Sequence, residues 1–381
     1  MMYTRVENLE QTATRVRSKV MGVMQAAVFH GRGAITIDEV SEPRSPGPGE
    51  VLVRPQFCGI CGTDLHEYTD GPIVIPTKPH PLNGSHVPQI LGHEFSAVVE
   101  ELGAGVGNVR VGDLCSIMPL IYCGECDQCS RGANHLCRTM ACTGLSAAWG
   151  GLAKFAVVKA SQLVVIPSEV SALQAALIEP AAVAAYGVDR GNLQPGESVL
   201  VTGAGPIGSL VTMYALAGGA RRVIVSESDP VRLERATLLG HGIGEVVGVN
   251  PLEDDLSEVV NEYTEGLGID LSIECAGKEA ALQACIDVAR PGGHVVQTAL
   301  HVKPASISAD ILAVKDLTLS GTWCYPVFDF PRVVSLVATG RWPVDRVVSS
   351  VIPLDEVVTN GFESLIRRGS GEVKVLIQVD K

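Results

Sequence analysis

The second half of the chain alternates between short apolar runs and longer amphipathic segments. From Ser198 onward, runs rich in Val, Leu and Ile predict buried strands, and the segments between them predict helices. The predicted strands are residues 199–201, 223–225, 246–249, 271–273 and 294–296, and the predicted helices are residues 207–217, 232–239 and 280–289. Strands that alternate with helices predict an α/β fold with a parallel, doubly wound sheet.

The chain before about Pro180 has a different pattern of apolar and turn-forming residues. Short apolar strands are predicted at residues 26–29, 51–53 and 155–158, and the Pro/Gly-rich residues 43–49 predict a turn. This pattern is typical of an all-β or α+β module. After about Trp323 the sequence predicts one helix over 329–339 and a final strand over 373–379, and such a tail can return to the first domain.

Length and composition narrow the class of protein. A chain of 381 residues with 46% hydrophobic and 19% charged residues is expected to fold into two domains. A net charge of -13 repels a polyphosphate backbone, so nucleic acid is not expected as a partner. There is no run of eighteen apolar residues, so no membrane span is expected. Residues 1–22 lack the apolar centre of a signal peptide and are interpreted as an N-terminal extension, which favours a cytoplasmic protein.

A glycine motif follows the first predicted strand of the second half. Gly203, Gly205 and Gly208, with Pro206 and Ile207, form G-x-G-x-x-G between a strand and a helix. This arrangement places a pyrophosphate on the helix N-terminus. Glu227 ends the next predicted strand, where a carboxylate binds ribose hydroxyls and repels a 2′-phosphate, so NAD is expected as the cofactor.

Two features qualify this interpretation. Arg232 is a nearby cation and a further candidate cofactor contact, which can soften the preference for NAD. The alternative is a plain tight turn followed by a solvated Glu227, but the strand and helix on either side favour dinucleotide binding.

Four cysteines lie within fifteen residues of one another. They are Cys123, Cys126, Cys129 and Cys137. Four thiolates can wrap one tetrahedral zinc and leave no open position, so the expected site is structural. The alternative is a set of reduced core cysteines, yet buried cysteines do not usually cluster in so polar a segment.

Three separate segments carry further residues of the kind that bind metals. They are Cys58 to His66, the pair His93-Glu94, and Glu179-Pro180. A catalytic zinc takes three protein ligands and keeps one position open. Each segment also has a simpler interpretation: Cys58 and Cys61 as a redox pair, His93-Glu94 as a surface pair, and Glu179-Pro180 as a helix boundary.

Taken together, these motifs resemble the zinc-containing medium-chain alcohol dehydrogenases. The resemblance extends from about Met24 onward and rests on residues 59–66, 92–94, the cysteine quartet and 203–208, in that order. Residues 66–68, 80–82 and 179–181 are similar to the branch that contains 2,3-butanediol and sorbitol dehydrogenases. Two departures from that branch, Ala181 and the pair Ala185-Tyr186, fall near the expected substrate cleft.

The resemblance implies a fold and a domain plan. We expect a Rossmann sheet plus a mainly β, GroES-like catalytic domain. The expected catalytic domain is residues 1–187, the dinucleotide-binding domain is 188–323, and residues 324–381 return to the catalytic domain. The family is usually dimeric or tetrameric, so a homodimer or homotetramer is expected.

The resemblance also implies residue roles. Cys61 and His93 are expected zinc ligands, with Glu94 and Glu179 as direct or water-mediated ones, which the sequence does not distinguish. Thr63 and His66 correspond to the family's proton relay from the alcohol to bulk water, and Asp64 orients a metal ligand. Zinc acts as a Lewis acid toward the alcohol while hydride moves to the nicotinamide.

The expected activity is zinc-dependent hydride transfer between NAD(H) and a secondary alcohol or ketone, with two zincs per chain. A small vicinal diol or hydroxyketone, such as 2,3-butanediol or acetoin, is the expected substrate. A polyol dehydrogenase of the sorbitol type and a threonine-type dehydrogenase are the alternatives. A zinc-binding interaction protein and a zinc-free quinone or enone reductase are disfavoured, because Cys61, Thr63, His93 and the glycine motif are all present.

Overall fold

The computed structural model describes residues 22–380 of the chain. Residues 1–21, the bulk of the expected N-terminal extension, lie outside the described part. No helix among residues 22–380 is long and apolar enough to cross a membrane.

Strands and helices are numbered in chain order. The strands are β1 (Val23–Gly31), β2 (Ala34–Ser41), β3 (Glu50–Gly59), β4 (Gln89–Ile90), β5 (Glu94–Leu102), β6 (Leu114–Ile117), β7 (Leu120–Ile121), β8 (Ala141–Cys142), β9 (Ala156–Lys159), β10 (Leu163–Val165), β11 (Ser198–Thr202), β12 (Arg222–Ser226), β13 (Val246–Val249), β14 (Ile269–Glu274), β15 (Ala289–Gln297), β16 (Thr318–Gly321), β17 (Val348–Pro353) and β18 (Lys374–Gln378). The α-helices are α1 (Gly62–Asp70), α2 (Asp127–Ser130), α3 (Ala172–Ala176), α4 (Ile178–Arg190), α5 (Pro206–Ala217), α6 (Pro230–Leu238), α7 (Leu256–Thr264), α8 (Glu279–Val288), α9 (Ala309–Val314), α10 (Phe330–Ala338) and α11 (Glu363–Ile366).

The first part of the chain forms mainly antiparallel sheets. A seven-stranded sheet has the order β10-β6-β5-β3-β18-β17, with β9 also paired to β3, and a three-stranded sheet has the order β2-β1-β4. The first four residues of strand β5 are buried, and Phe95, Ala97 and Val99 pack in the hydrophobic core of this region. The end of β3 and the start of β5 lie side by side, with Gly59 opposite Glu94. The residues that follow β3 and precede β5 are therefore brought close together.

The second part forms a six-stranded parallel sheet. Its order is β13-β12-β11-β14-β15-β16, which is the 3-2-1-4-5-6 order of a dinucleotide-binding fold. The strand order reverses between β11 and β14, and ligands bind such sheets at this point, beyond the carboxyl ends of the strands. Val199, Leu200 and Val201 of β11 are fully buried because helices cover both faces of the sheet.

The C-terminal segment contacts both parts of the molecule. Helix α10 packs against α4, and Phe330 and Val334 join the hydrophobic core that includes α4 and α5. Strand β18 then pairs antiparallel with β3, with Leu376 opposite Gly59. The chain therefore re-enters the antiparallel sheet only with its last two strands, β17 and β18.

Most of the predicted elements are confirmed with small shifts at their ends. The predicted strand over 294–296 is longer and begins at Ala289, and the predicted helix over 329–339 is α10. Seven helices of the described part of the chain were not predicted: α1, α2, α3, α4, α7, α9 and α11. The segment that begins with Glu179-Pro180 lies inside α4, whose first turn it forms.

Candidate active site and metal centres

The glycine motif forms a tight turn between β11 and α5. Gly203 has a φ of 90°, and a Cβ on it would come within 3.1 Å of Ala276. A Cβ on Gly208 would overlap the carbonyl oxygen of Gly203, whereas a Cβ on Gly205 would meet no atom within 4 Å. Two of the glycines therefore close the turn against the sheet, and Gly205 leaves open space.

Helix α5 starts beside this open space. Pro206 is its first residue and Ile207 its second, and both are partly buried. Proline suits this position because the first N–H groups of a helix have no partner within the helix. The remaining free N–H groups of the first turn form the kind of site that binds phosphate.

Glu227 connects the glycine loop to the next helix. One of its carboxylate oxygens accepts the Ala204 N–H at 2.8 Å, and the other accepts the Asp229 N–H at 2.8 Å. Asp229 caps the N-terminus of α6. The carboxylate thus lies at the edge of the predicted ribose site and also holds the loop in place.

Arg232 has a partner outside the predicted cofactor site. Its guanidinium donates to the backbone carbonyl of Glu372 at 2.9 Å, just before β18. The cofactor contact expected of Arg232 remains a prediction, and the structure gives the side chain a role in joining α6 to the C-terminal strand.

The cysteine quartet has the geometry of a tetrahedral metal site. The four sulfur atoms of Cys123, Cys126, Cys129 and Cys137 all lie within 4.8 Å of one another. Individual Sγ–Sγ distances are 3.5 Å for Cys123–Cys137 and 4.0 Å for Cys123–Cys129 and Cys126–Cys137. Zinc–sulfur bonds of about 2.3 Å in a tetrahedron require sulfur atoms about 3.8 Å apart. The segment therefore fits a zinc ion closely.

The local backbone favours the thiolate form of Cys123 and Cys126, whereas burial raises the pKa of Cys129 to about 12. Backbone N–H groups of Arg138 and Cys129 lower the pKa of Cys126 to about 6. The Cys126 N–H donates to Cys123 Sγ, and the Cys123 N–H donates to Cys137 Sγ, each at 3.3 Å. Metals bind the thiolate form, so these contacts prepare the quartet for a metal.

The second cluster combines residues from α1 and β5. Cys61 precedes α1, His93 precedes β5 and Glu94 begins it, and one ligand atom of each lies within 4.8 Å of the others. Burial, followed by the charge of Glu94, raises the pKa of Cys61. A buried thiolate next to a carboxylate needs a nearby cation, so the chemistry of this donor set fits a metal ion.

Asp64 supports both of the expected ligands. Its Oδ2 accepts the Cys61 N–H at 2.9 Å, and its Oδ1 lies 3.5 Å from His93 Nδ1. Asp64 is fully buried, and neither Oδ1 nor Nδ1 has a closer partner among the described residues. His93 therefore faces Asp64 with one ring nitrogen, which leaves Nε2 for the cluster.

Sequence reasoning missed Lys374, a buried cation that contacts this cluster. Its ammonium forms an ion pair with Glu94 and donates to the Ile60 carbonyl at 3.0 Å, and both charged side chains are at most 2% exposed. Burial opposes the charge of Lys374, but Glu94 outweighs it and raises the pKa. A Cβ on Gly59 would overlap this pair, so glycine is required there. The only available signal was a lysine within the apolar strand that ends the chain.

Glu179 lies next to the cluster but is not part of it. It is in the first turn of α4 and only 7% exposed, and burial raises its pKa to about 7 against the opposing effect of His93. The hydroxyl of Tyr325, which sequence reasoning also missed, lies beside the Glu179 carboxylate. No sequence pattern distinguished Tyr325 from an ordinary core aromatic residue.

The remaining predicted residues lie nearby. Thr63 and His66 are partly exposed and three residues apart on α1, so they lie on one side of that helix. Ala181 and Ala185 are buried in the core, and the Tyr186 ring packs edge-on against His135, beside the cysteine quartet. Tyr186 is therefore a neighbour of the quartet segment.

Comparison with known proteins identifies the family. The family model "Alcohol dehydrogenase GroES-like domain" matches residues 47–168, and "Zinc-binding dehydrogenase" matches residues 206–339. The chain is 37% identical over 358 residues to (R,R)-butanediol dehydrogenase of Bacillus subtilis, covering 93% of this chain and 99% of that protein. The chain belongs to the zinc-binding alcohol dehydrogenases, which confirms the expected fold of a GroES-like domain and a Rossmann domain.

Two solved structures are similar over almost the full described chain. The crystal structure of 2R,3R-butanediol dehydrogenase from Bacillus subtilis has a TM-score of 0.87 and 36% identity, and covers 94% of this chain and 100% of that chain. A zinc-binding dehydrogenase of Sinorhizobium meliloti 1021, solved with bound NADP, has a TM-score of 0.84 and 31% identity, with the same coverage. The protein is thus a zinc-dependent oxidoreductase of CH–OH groups that uses a nicotinamide cofactor.

Proposed function

We propose that the enzyme interconverts a small vicinal diol and its hydroxyketone, such as 2,3-butanediol and acetoin, with NAD(H) as cofactor. The main support is the buried Glu179 beside the Cys61–His93–Glu94 cluster, which gives a polar site for a second substrate oxygen. The similarity to (R,R)-butanediol dehydrogenase of Bacillus subtilis favours the same substrate class.

A spectrophotometric assay tests this proposal. NADH formation is measured with 2,3-butanediol, 2-butanol and sorbitol, and kcat/KM should be highest for the diol by a wide margin. A site built to hydrogen-bond a hydroxyl discriminates strongly against a substrate that lacks it. Equal rates for 2-butanol would refute the vicinal-oxygen requirement, and a preference for sorbitol would favour the polyol alternative.

We infer that Cys61, His93 and Glu94 hold the catalytic zinc, with Glu179 contacting it only through water or substrate. The donor atoms of the first three residues lie together, whereas Glu179 lies outside that group. When bound, zinc supplies a Lewis acid that favours the deprotonated alcohol. The expected result is that Glu94→Gln loses zinc while Glu179→Gln retains it, as measured by elemental analysis.

We propose a second, structural zinc at the quartet, which gives two zincs per chain. The sulfur spacing and the lowered pKa of Cys126 support this assignment. A chelator should remove activity before it unfolds the protein, because only the catalytic site keeps an open position. One zinc or none per purified chain would contradict the proposal.

We propose that Gly203, Gly205, Gly208, Pro206 and Ile207 bind the pyrophosphate and that Glu227 binds the adenosine ribose. The position of Glu227 beside the open glycine turn favours NAD, because its carboxylate would repel a 2′-phosphate. The NADP found in the Sinorhizobium meliloti relative makes the comparison of both cofactors the necessary test.

We further propose that Thr63 and His66 carry the alcohol proton toward solvent. Thr63 lies two residues from Cys61 and His66 one turn further along α1, and both are partly exposed. Replacement of His66 with Ala should lower kcat most at low pH, and added imidazole buffer should restore part of the rate. Loss without rescue would indicate another path.

The exposed edge of the parallel sheet supports a homodimer or homotetramer. Strand β16 is the last strand of that sheet, and the apolar residues Val302, Val314 and Leu319 near it are 63%, 85% and 37% exposed. A free, apolar sheet edge is a site for pairing with a second copy. Light scattering after size-exclusion chromatography should give a mass of at least two chains.

We keep the domain limits 1–187, 188–323 and 324–381 as a proposal, which limited proteolysis tests.

A further inference from the structure

Tyr325 carries a buried polar group that the fold itself does not use. The residue lies between β16 and α10, is fully buried, and packs its ring 5.7 Å from that of Phe330. Its hydroxyl has no hydrogen-bond partner among residues 22–380. Buried tyrosine hydroxyls usually find a partner, so an unpaired one points to a missing ligand.

The surroundings of this hydroxyl belong to the active site. It lies beside the carboxylate of Glu179, with Cys142 and Cys324 also close by. Glu179 in turn lies within the electrostatic reach of His93 and Glu94. A donor and an acceptor therefore face each other next to the metal cluster, close enough to interact but without the geometry of a well-formed hydrogen bond between them.

The missing partner must both accept and donate a hydrogen bond. The Tyr325 O–H is a donor, whereas an ionised Glu179 is only an acceptor. A hydroxyl group meets both needs, because it has one O–H and two lone pairs. A monohydric alcohol that binds through its reacting oxygen has no second hydroxyl to place there.

We propose that Tyr325 is a specificity-determining residue that, together with Glu179, binds the second hydroxyl of a vicinal diol or hydroxyketone. The phenol donates to that oxygen, and the substrate hydroxyl donates to the carboxylate. This inference rests on the proposed diol activity and adds the residue that recognises the non-reacting oxygen.

The test compares Tyr325→Phe with the wild type as zinc- and NAD-loaded enzyme. The kcat/KM for 2,3-butanediol should fall about tenfold, the typical effect of one neutral hydrogen bond, while that for 2-butanol stays unchanged. Tyr263→Phe is the matched control, because Tyr263 lies on α7 with its ring against Arg222, away from the cluster. The control should leave both values unchanged.

A second measurement separates substrate recognition from structural damage. Without substrate, Tyr325→Phe should keep or raise the melting temperature, because it removes an unpaired buried hydroxyl. Added 2,3-butanediol should raise the melting temperature of the wild-type NAD complex more than that of the variant. A lower melting temperature without substrate, or equal losses for diol and 2-butanol, would overturn the proposal.

The outcomes also separate this inference from the proposed function. If the wild type prefers the diol and Tyr325→Phe keeps that preference, only the role of Tyr325 fails. If the wild type itself oxidises 2-butanol as well as the diol, the diol activity fails and the inference about Tyr325 fails with it.

Discussion

Replacing Lys374 with methionine should destabilise the protein strongly, because it leaves a buried carboxylate without its counter-ion. Lys374 and Glu94 are at most 2% exposed, and the ammonium also satisfies the Ile60 carbonyl. Removal of one partner of such a pair costs about 3–5 kcal/mol, and the unpaired carbonyl adds about 1 kcal/mol or more. Methionine fills nearly the same volume, so the loss reports the charge rather than a cavity.

Urea unfolding of metal-stripped protein measures this cost, with two comparison variants. The exposed pair of Lys154 and Glu42 provides the control, and Lys154→Met should cost less than about 1 kcal/mol. The double variant Lys374→Met/Glu94→Gln removes both charges and should be more stable than Lys374→Met alone by about 2 kcal/mol or more. Zinc should reduce the loss in Lys374→Met, because a second cation then lies beside Glu94.

Two results would refute this reasoning. A cost for Lys374→Met as small as that for Lys154→Met would mean that water reaches the Glu94 carboxylate. A double variant no more stable than the single one would mean that Lys374 acts through packing and not through charge.

Three further predictions concern the metal and cofactor sites. Cys129→Ser should lower the melting temperature by more than about 5 °C and have little effect on the activity of the protein that remains folded. Cys61→Ser should abolish activity with little effect on the melting temperature. Equal melting temperatures for the two variants would contradict separate structural and catalytic sites. Asp64→Asn should weaken zinc binding about 10- to 100-fold in a competition titration, because His93 and the Cys61 N–H lose their charged partner; unchanged affinity would remove Asp64 from the site. Glu227→Gln should narrow the NAD over NADP preference in kcat/KM roughly tenfold, since the charge that repels the 2′-phosphate is lost while an acceptor for Ala204 remains; an unchanged ratio would place the discrimination elsewhere.

The parallel sheet and both metal clusters were predictable because the residues that form them lie in short segments or in motifs of fixed spacing. The glycine turn requires three small residues between a strand and a helix, and the structure places Gly203, Gly205 and Gly208 there. The quartet lies within fifteen residues, so its geometry depends on one short segment. Cys61 and His93 are distant in sequence, but each carries a recognisable pattern of neighbours.

Residues that act through distant partners left no comparable signal. Lys374 begins β18 and is followed by the consecutive buried residues Val375, Leu376 and Ile377, so no alternating pattern indicates which face of the strand it lies on. Its burial depends on Glu94, 280 positions away, and on the space left by Gly59. In the sequence Tyr325 looks like an ordinary aromatic core residue. The proposed role of its hydroxyl follows only from the position of Glu179 in the folded chain. The roles of such residues depend on which polar groups meet in the folded structure, and the pattern of residues along the sequence does not show this.

The return of the chain to the first sheet links the metal side of the reaction to the cofactor side. Lys374 of β18 holds Glu94 in the metal cluster, and two residues earlier the Glu372 carbonyl accepts the Arg232 guanidinium of α6. The same helix donates from Arg235 to the Val348 carbonyl, at the start of β17.

Asp229 caps the N-terminus of helix α6, and its N–H donates to Glu227, the predicted ribose ligand. One continuous set of contacts therefore runs from the ribose site to the metal cluster. Hydride transfer depends on the relative placement of alcohol and nicotinamide, and an error of about 1 Å can cost roughly a hundredfold in rate. Lys374 contacts Glu94 and the nearby Glu372 carbonyl accepts from Arg232, so this C-terminal segment joins the two proposed sites and helps to set their relative placement.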